Sequence, residues 1–151
     1  MEDNQNDVVK QVIVMRTKYP DGNGGTRKLR TGKMIAQGAH ASMAWLTKLI
    51  QEGQLAPLRI ADMAFPQTHF MIPPQAETWL SDKFTKITVY VETEEELLAL
   101  HEKAKSLEIE SHLIQDCGLT EFNEVPTYTA VGIGPDYSSK LDPVTGHLPL
   151  L

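Results

Sequence analysis

Short apolar runs at strand-like spacing mark four segments of the chain. Val9 to Arg16 is predicted to be a buried strand, because residues 12–15 form a continuous apolar centre. Residues 85–91 alternate apolar with polar or amphipathic side chains and give a second strand. Residues 111–115 and 128–133 complete the predicted strands.

Helical spacing appears in the segments between these strands. Residues 32–51 are predicted to form a helix, with Thr31 as N-cap and Gly53 as the stop. Its predicted apolar stripe consists of Ile35, Ala39, Met43, Leu46 and Ile50. A short helix is predicted over 75–82. A further helix ends near Leu107 and begins with a capping box, in which Glu96 follows Thr93 by three residues.

Helices after the first and second strands, in the order β-α-β-α-β-β, predict an α/β fold. The expected architecture is a mixed four-stranded sheet flanked by helices on both faces, a three-layer α/β/α arrangement. A chain of 151 residues can bury a sufficient core in one domain without a disulfide or metal. We predict a single domain over 9–151, preceded by a disordered polar tail over 1–8.

Two segments depart from this regular pattern. Residues 19–25 contain one proline and three glycines, which predicts a mobile loop with little to bury. Residues 54–74 contain four prolines and therefore do not form one helix. Because this insertion is also rich in hydrophobic groups, we expect it to pack on the domain.

The charge is unevenly distributed along the chain. A net charge of −6 argues against a general nucleic-acid binder, since neutralising phosphates is the sequence-independent part of such binding. Residues 16–33 nevertheless carry +5, which leaves −11 on the remainder. A polyanion would bind there preferentially, although a solvated loop kept soluble by its cations is an alternative. The basic residues are Arg16, Lys18, Arg27, Lys28, Arg30 and Lys33.

Several classes of protein are disfavoured by the sequence. No apolar stretch approaches the ~20 residues that span a bilayer, and residues 1–7 lack the features of a signal peptide. The single cysteine, Cys117, excludes an intramolecular disulfide, so we expect a cytoplasmic protein that does not enter a membrane. The five histidines show no close pair at ligand spacing, so no metal site is predicted.

Two groups of residues are candidates for chemistry. Lys33 and Gln37 recur with His40 along one face of the first predicted helix. Lys33 lies in the first turn, where the helix dipole disfavours a cation unless an anion occupies the site. Asp116 and Thr120 follow a strand in a loop and could orient a water near Lys33. An exposed, unpaired lysine and a simple turn at Asp116 are the alternatives that the residues leave open.

Three separated motifs resemble the peptidyl-tRNA hydrolases of the archaeal and eukaryotic type. Residues 32–42, GKMIAQGAHAS, resemble the family's helix start G-K-x-A-A-Q-x-x-H-A. Residues 114–118, IQDCG, are similar to I-x-D-A-G. Residues 129–135 and 142–148 are similar to T-x-x-G-I-G-P and D-x-x-T-G-x-L. The motifs occur in the family's order and together span nearly the whole chain.

The resemblance implies hydrolysis of the ester between a peptide and its tRNA, without a cofactor and often by a homodimer. It implies catalytic roles for Lys33, Asp116, Thr120 and Thr129, and places Gln37 and His40 beside them as substrate-binding residues. Asp116 would accept a proton from a water or orient it, the threonines would position substrate, and Lys33 would stabilise negative charge. The cations expected to bind tRNA are Arg27, Lys28 and Arg30.

Two departures from the family pattern lie directly after Asp116. Where the family usually reads D-A-G-R-T-Q, this chain has Leu119 for the arginine and Glu121 for the glutamine. An added acid should repel phosphate unless the basic residues 27–33 compensate. The alternatives are a fold-retaining paralogue with a binding or regulatory role, and an esterase for a related aminoacyl-tRNA.

Overall fold

The computed structural model describes residues 7–151. Its strands are β1 (Val9–Arg16), β2 (Tyr19–Pro20), β3 (Thr26–Arg27), β4 (Gln54–Ile60), β5 (Met63–Thr68), β6 (Lys86–Val91), β7 (Ser111–Asp116) and β8 (Thr127–Tyr137). Its helices are α1 (Thr31–Glu52), α2 (Pro74–Ser81), α3 (Glu94–Ser106) and α4 (Ser138–Thr145).

A mixed four-stranded sheet in the order β6-β1-β8-β7 forms the centre of the molecule. β1 runs parallel to β6, and β8 runs antiparallel to both β1 and β7. Helices α1 and α2 pack on one face of the sheet, whereas α3 and α4 pack on the other. The predicted α/β fold, with three layers and a mixed four-stranded sheet, is therefore confirmed.

The central strand β1 is buried on both faces, which explains its continuous apolar run. Val12 and Val14 pack toward α3 and α4, whereas Ile13 and Met15 pack toward α1. Helix α1 crosses β8 closely at Gly132, where an added Cβ would lie 2.1 Å from the Ala41 carbonyl oxygen. Only glycine allows the helix to come so near the sheet.

The predicted apolar stripe of α1 is wrong at most of its positions, since only Leu46 of its five residues packs against a core cluster. The buried residues of this helix are Gln37, Ala41 and Trp45, while Ile35 and Met43 are 68% and 49% exposed. The buried face combines an amide, a methyl group and an indole ring, so the apolar residues at helical spacing do not identify it. The predicted N-cap is also wrong, because Arg30 occupies that position and no side chain caps the helix. The capping box of α3, in contrast, is confirmed.

The insertion does not pack on the domain as expected. β4 and β5 form an antiparallel hairpin in which every residue is exposed. The segment predicted to be a loop with little to bury also differs, because β2 pairs with β3 and Tyr19 is buried. The Tyr19 ring packs against Phe122, with ring centroids 5.2 Å apart. This contact joins residues that are far apart in sequence.

The C-terminal helix α4 is absent from the predicted elements, since Pro143 lies inside it. Of the predicted tail, residues 1–6 lie outside the described residues. Asp7 and Val8 are hydrogen-bonded to Ser139 and Ser138 at the start of α4. No helix within residues 7–151 combines the length and the hydrophobicity that crossing a bilayer requires.

Candidate active site

Five of the predicted site residues meet beside the N-terminal half of α1. Lys33 and Gln37 project from the first two turns of this helix, Asp116 ends β7, Thr129 lies in β8 and Thr120 lies in the loop between those strands. We call these five residues the Asp116 cluster. The antiparallel pairing of β7 with β8 brings the last two motifs of the sequence together, and the packing of α1 adds the first.

An ion pair lies at the centre of the cluster. The Lys33 Nζ is 2.5 Å from Asp116 Oδ2 and 3.2 Å from the Thr120 hydroxyl oxygen. A lysine in the first turn of a helix is opposed by the helix dipole. Here the anion that offsets this repulsion is the Asp116 carboxylate itself. Lys33 is therefore not the unpaired surface lysine that the sequence alone left open.

Behind the ion pair, two buried neutral side chains form a chain of hydrogen bonds that ends at the carboxylate. The Gln37 amide nitrogen donates to Asp116 Oδ2 at 3.0 Å, and the Thr129 hydroxyl donates to the Gln37 amide oxygen at 2.5 Å. An ionised carboxylate only accepts hydrogen bonds, so Gln37 must present its N–H group and Thr129 must donate. Thr129 is completely buried, so in this arrangement it holds Gln37 rather than positioning substrate directly as predicted.

A tight turn fixes the other oxygen of Asp116. The backbone N–H of Gly118 donates to Asp116 Oδ1 at 2.9 Å. Gly118 has a φ of +87°, and an added Cβ would lie 2.5 Å from the Val125 carbonyl oxygen. Only glycine accommodates both constraints. The turn after β7 therefore orients the Asp116 carboxylate, and Oδ1 retains one lone pair for a further donor.

The surroundings of Asp116 keep its carboxylate ionised. Burial alone would raise its pKa, but hydrogen bonds from Lys33, Gly118 and Gln37, together with the Lys33 charge, lower the pKa below its ordinary value. Such a carboxylate is a weak base at neutral pH. The carboxylate is therefore available as an acceptor of further hydrogen bonds.

A second cluster of charges lies a few residues further along the same loop. The Arg30 Nε lies 2.7 Å from Glu121 Oε1, and Arg27 contacts both the Glu121 carboxylate, at 3.6 Å, and its backbone oxygen. We call Arg27, Arg30 and Glu121 the arginine cluster. A hydrogen bond from Arg30 is the main cause that lowers the pKa of Glu121. Only 6% of the Glu121 side chain is exposed. Two guanidinium groups thus compensate the acid that was expected to repel phosphate.

Most of the basic segment is paired with acids in the same way. Arg16 binds Glu94, and Lys18 binds Glu92, each at 2.6 Å. Lys28 is exposed and has no ion pair within residues 7–151. The Arg30 side chain stays 78% exposed despite its ion pair, so its remaining N–H groups face solvent. The positive surface expected from the sequence is thus reduced to a few accessible groups.

His40 lies outside the Asp116 cluster. Its ring is exposed and forms no hydrogen bond with the described part of the chain. It lines a groove of about 510 Å³ that begins at Gln37 and Asp116 and runs between α1 and β7. Sequence reasoning assigned the other lining residues no role in the site. They are Met43, Ala44, Thr47, Leu113, Ile114, Gln115 and Cys117.

The described residues offer no evident metal site. Within residues 7–151, no three His, Cys, Asp or Glu side chains are grouped so that they could hold a metal ion. Asp116 is instead surrounded by hydrogen-bond donors.

Comparisons with known proteins agree with the motifs. The family model described as Peptidyl-tRNA hydrolase PTH2 matches residues 9–151. A protein named Peptidyl-tRNA hydrolase from Methanopyrus kandleri is 39% identical over 142 residues, covering 94% of this chain and 97% of that protein. Proteins of the same name from Methanocaldococcus jannaschii and Thermoplasma volcanium are 33% and 32% identical, covering 95% of this chain and 100% and 99% of theirs. The match along almost the full chain, with the Asp116 cluster inside it, makes this protein a member of the peptidyl-tRNA hydrolase PTH2 family.

Proposed function

We propose that this protein hydrolyses the ester bond of peptidyl-tRNA, releasing free tRNA and the peptide. Family membership supports the reaction. The observation that carries the proposal for this chain is the Lys33–Asp116 ion pair of 2.5 Å, which lies at the end of an open groove with the Thr120 hydroxyl beside it. Ester hydrolysis needs an oriented water and a stabilised oxyanion, and this group of side chains can supply both.

Asp116 and Thr120 are suited to hold the attacking water. Asp116 Oδ1 keeps one free lone pair, and the Thr120 oxygen accepts from Lys33, which leaves the hydroxyl proton free to be donated. Attack of the water oxygen on the ester carbonyl carbon gives a tetrahedral intermediate. Its collapse breaks the bond to the tRNA oxygen, which takes up the proton that the water gives up. The Asp116 charge stabilises the positive charge that develops on the attacking oxygen.

Lys33 is suited to stabilise the oxyanion. Two of its three ammonium protons are directed to Asp116 and Thr120, which leaves one for the former carbonyl oxygen. The ion pair holds the ammonium in place before the reaction, so little reorganisation is needed as negative charge develops. Gln37 and Thr129 contribute indirectly, by fixing the carboxylate that in turn fixes Lys33.

The tRNA would approach from the side of the basic segment. Arg27 and Arg30 contact Glu121 in the loop that carries Thr120, and Lys28 lies between them in the sequence, so phosphates bound there would place the ester near Lys33. Arg30 and Lys28 are the most accessible of the three. A cytoplasmic location and a homodimer stay predictions, and light scattering would decide the second.

The alternative of a binding or regulatory paralogue rests on Leu119 and Glu121. Leu119 occupies the position where the family usually has an arginine, so a cation is missing there. Its side chain is exposed. Glu121, however, is engaged by Arg27 and Arg30 and does not face the incoming phosphates. The whole Asp116 cluster is present, which favours the hydrolase. A related aminoacyl-tRNA ester would undergo the same chemistry, so substrate choice is a question for the assay.

The test is ester release from N-blocked aminoacyl-tRNA by the wild type and by Asp116→Asn. We expect a fall in kcat/KM on the order of 10²–10⁴-fold, the range for loss of a group that acts on the attacking water. Asp62→Asn, in the exposed turn between β4 and β5, removes the same charge and should retain the wild-type rate. No release above buffer by the wild type, or equal release by Asp116→Asn, would refute the proposed hydrolase.

A further inference from the structure

The groove that begins at Asp116 has no role in the chemistry so far. Resting on the proposed function, we propose that the peptide attached to the tRNA lies in this groove in an extended conformation and adds as a strand to the free edge of β7. The tRNA would then lie on the side of the basic segment, and the peptide would leave the reaction centre in a different direction.

The groove follows the edge of the sheet. β7 is the last strand in the order β6-β1-β8-β7, and no strand within residues 7–151 pairs with its outer edge. Five consecutive residues, 113–117, line the groove. Side chains alternate between the faces of a strand: Leu113 packs with the core below α3, and Ile114 packs with the core below α1. A groove that contacts both sets must run along the strand edge, where backbone N–H and C=O groups are available to an added strand.

The other wall of the groove comes from α1. His40, Met43, Ala44 and Thr47 recur at helical spacing on the side of this helix that faces β7. Met43 is 49% exposed and gives this wall an apolar surface that a peptide could contact. An extended peptide between α1 and β7 would cover Met43 and would also form hydrogen bonds with the free backbone N–H and C=O groups of β7.

Continuity with the reaction centre identifies the occupant. A scissile carbonyl at Lys33 and Asp116 has the tRNA on one side and the peptide on the other. The groove lining contains no lysine or arginine, whereas Arg27, Lys28 and Arg30 lie on the tRNA side. Phosphates therefore have no counter-charge in the groove, while a neutral backbone does not need one. Main-chain pairing also ignores side-chain identity, which suits an enzyme that must release peptides of any sequence.

The length of the edge sets a measurable limit. Residues 113–116 of β7 can pair with about four residues of an added strand, since each residue of a strand spans roughly 3.4 Å. Each peptide residue up to about the fourth should therefore add contacts, and further residues should add little.

The kinetic test uses tRNA esters that carry one to six residues. We expect KM to fall about tenfold between one and four residues and then to level off, since tenfold equals the ~1.4 kcal/mol that one or two additional hydrogen bonds supply. N-methylation of the second and third peptide amides should abolish most of this gain, because it removes donors and keeps bulk. Met43→Glu should raise KM for the four-residue ester several-fold. Ile35→Glu is the matched control, since it adds the same charge at another exposed apolar position of α1 outside the groove.

Two results would overturn the peptide groove in an active enzyme: a KM independent of peptide length, or equal KM values for Met43→Glu and Ile35→Glu. A wild type that cleaves none of the esters would refute the proposed function instead. In that event, backbone amide NMR shifts during titration with millimolar N-acetyl tetrapeptide amide decide the groove. Shifts concentrated at residues 113–117 support it, and shifts elsewhere or none at all refute it.

Discussion

Two carboxylates, Asp116 at the end of β7 and Glu121 in the loop that follows, differ in the number of cations that pair with them. In the Asp116 cluster, a single lysine pairs with the carboxylate, and the neutral side chains of Gln37 and Thr129 lie behind it. In the arginine cluster, two guanidinium groups enclose Glu121. The first arrangement leaves one donor of the cation and one lone pair of the acid free for a reactant. The second uses the charges to hold the loop to the segment before α1.

The difference shows why an ion pair alone does not identify an active site. Both carboxylates are largely buried, and both have a pKa below the ordinary value. Only Asp116 opens to the groove and has neutral hydrogen-bonding partners that fix its orientation without neutralising it further. Changes in the two clusters should therefore affect different quantities: turnover for the Asp116 cluster, and tRNA affinity for the arginine cluster.

Replacing Lys33 should have the largest effect of these changes. Lys33→Met removes the oxyanion donor, so we expect kcat/KM to fall on the order of 10²–10³-fold. It also removes the main cause that lowers the pKa of Asp116, so burial should raise that pKa. Because the carboxylate is needed ionised, the acid limb of the pH–rate profile should move to higher pH. Steady-state rates between pH 4 and 7 would measure both effects.

The control for Lys33→Met is Lys83→Met, which removes an exposed lysine far along the chain from the site. It should leave both the rate and the pH profile unchanged. If the pH–rate profile of Lys33→Met shifts to lower pH or stays in place, the ion pair with Lys33 does not lower the pKa of Asp116. A fall in kcat/KM of less than tenfold would show that Lys33 does not stabilise the oxyanion.

The next largest effect is expected from the buried hydrogen bonds behind the ion pair. Thr129→Val keeps the shape of the side chain and leaves the Gln37 amide oxygen buried without a donor. The expected cost is about 1–3 kcal/mol of unfolding free energy. We also expect a roughly tenfold fall in kcat with KM nearly unchanged, since Gln37 would no longer hold Asp116 firmly. Calorimetry and steady-state kinetics on the same samples would measure both.

Two further variants separate positioning from general stability. Thr129→Ser restores the hydroxyl and should recover most of kcat. Thr145→Val removes a buried hydroxyl of α4, which donates to the Leu141 carbonyl far from the site. It should lower stability without lowering kcat. A fall in kcat for Thr145→Val that matches its loss of stability would show that Thr129 acts through stability alone.

The two clusters also differ in how far the sequence predicts them. Lys33, Asp116, Thr120 and Thr129 follow from motifs, because each motif keeps its residue types at fixed spacing. The partners of Glu121 do not follow in this way, because Arg30 and Arg27 lie 91 and 94 positions before it in the sequence. The contact of Tyr19 with Phe122 joins the same two parts of the chain. The sequence offers compensation by the basic residues 27–33 only as a condition, and it does not show which of them reach this acid. Only the three-dimensional packing supplies the cations.

The same limit explains the two main errors in the fold. The stripe of α1 was assigned from apolar residues at helical spacing. The close approach to Gly132 instead requires the small residue Ala41, and the hydrogen bond to Asp116 requires Gln37 on the buried side. The insertion was expected to pack because it is apolar. β4 and β5 instead satisfy their backbone hydrogen bonds with each other and stay exposed. Periodicity thus located the elements, but buried hydrogen bonds and local strand pairing decided which faces are buried.

The smallest effect is expected from Glu121→Gln. This variant best separates the role of the arginine cluster from that of the Asp116 cluster. This change keeps an acceptor for the arginines and removes the charge, so Arg27 and Arg30 become available to phosphates. We expect tRNA to bind a few-fold more tightly. The slope of log K against log salt should steepen by roughly 0.7–0.9 for each arginine that gains a phosphate, while kcat stays unchanged. Glu124→Gln, in the same loop and exposed, should change neither quantity. Weaker binding together with a lower kcat would contradict this picture, because Glu121 would then position Thr120 and belong with the Asp116 cluster.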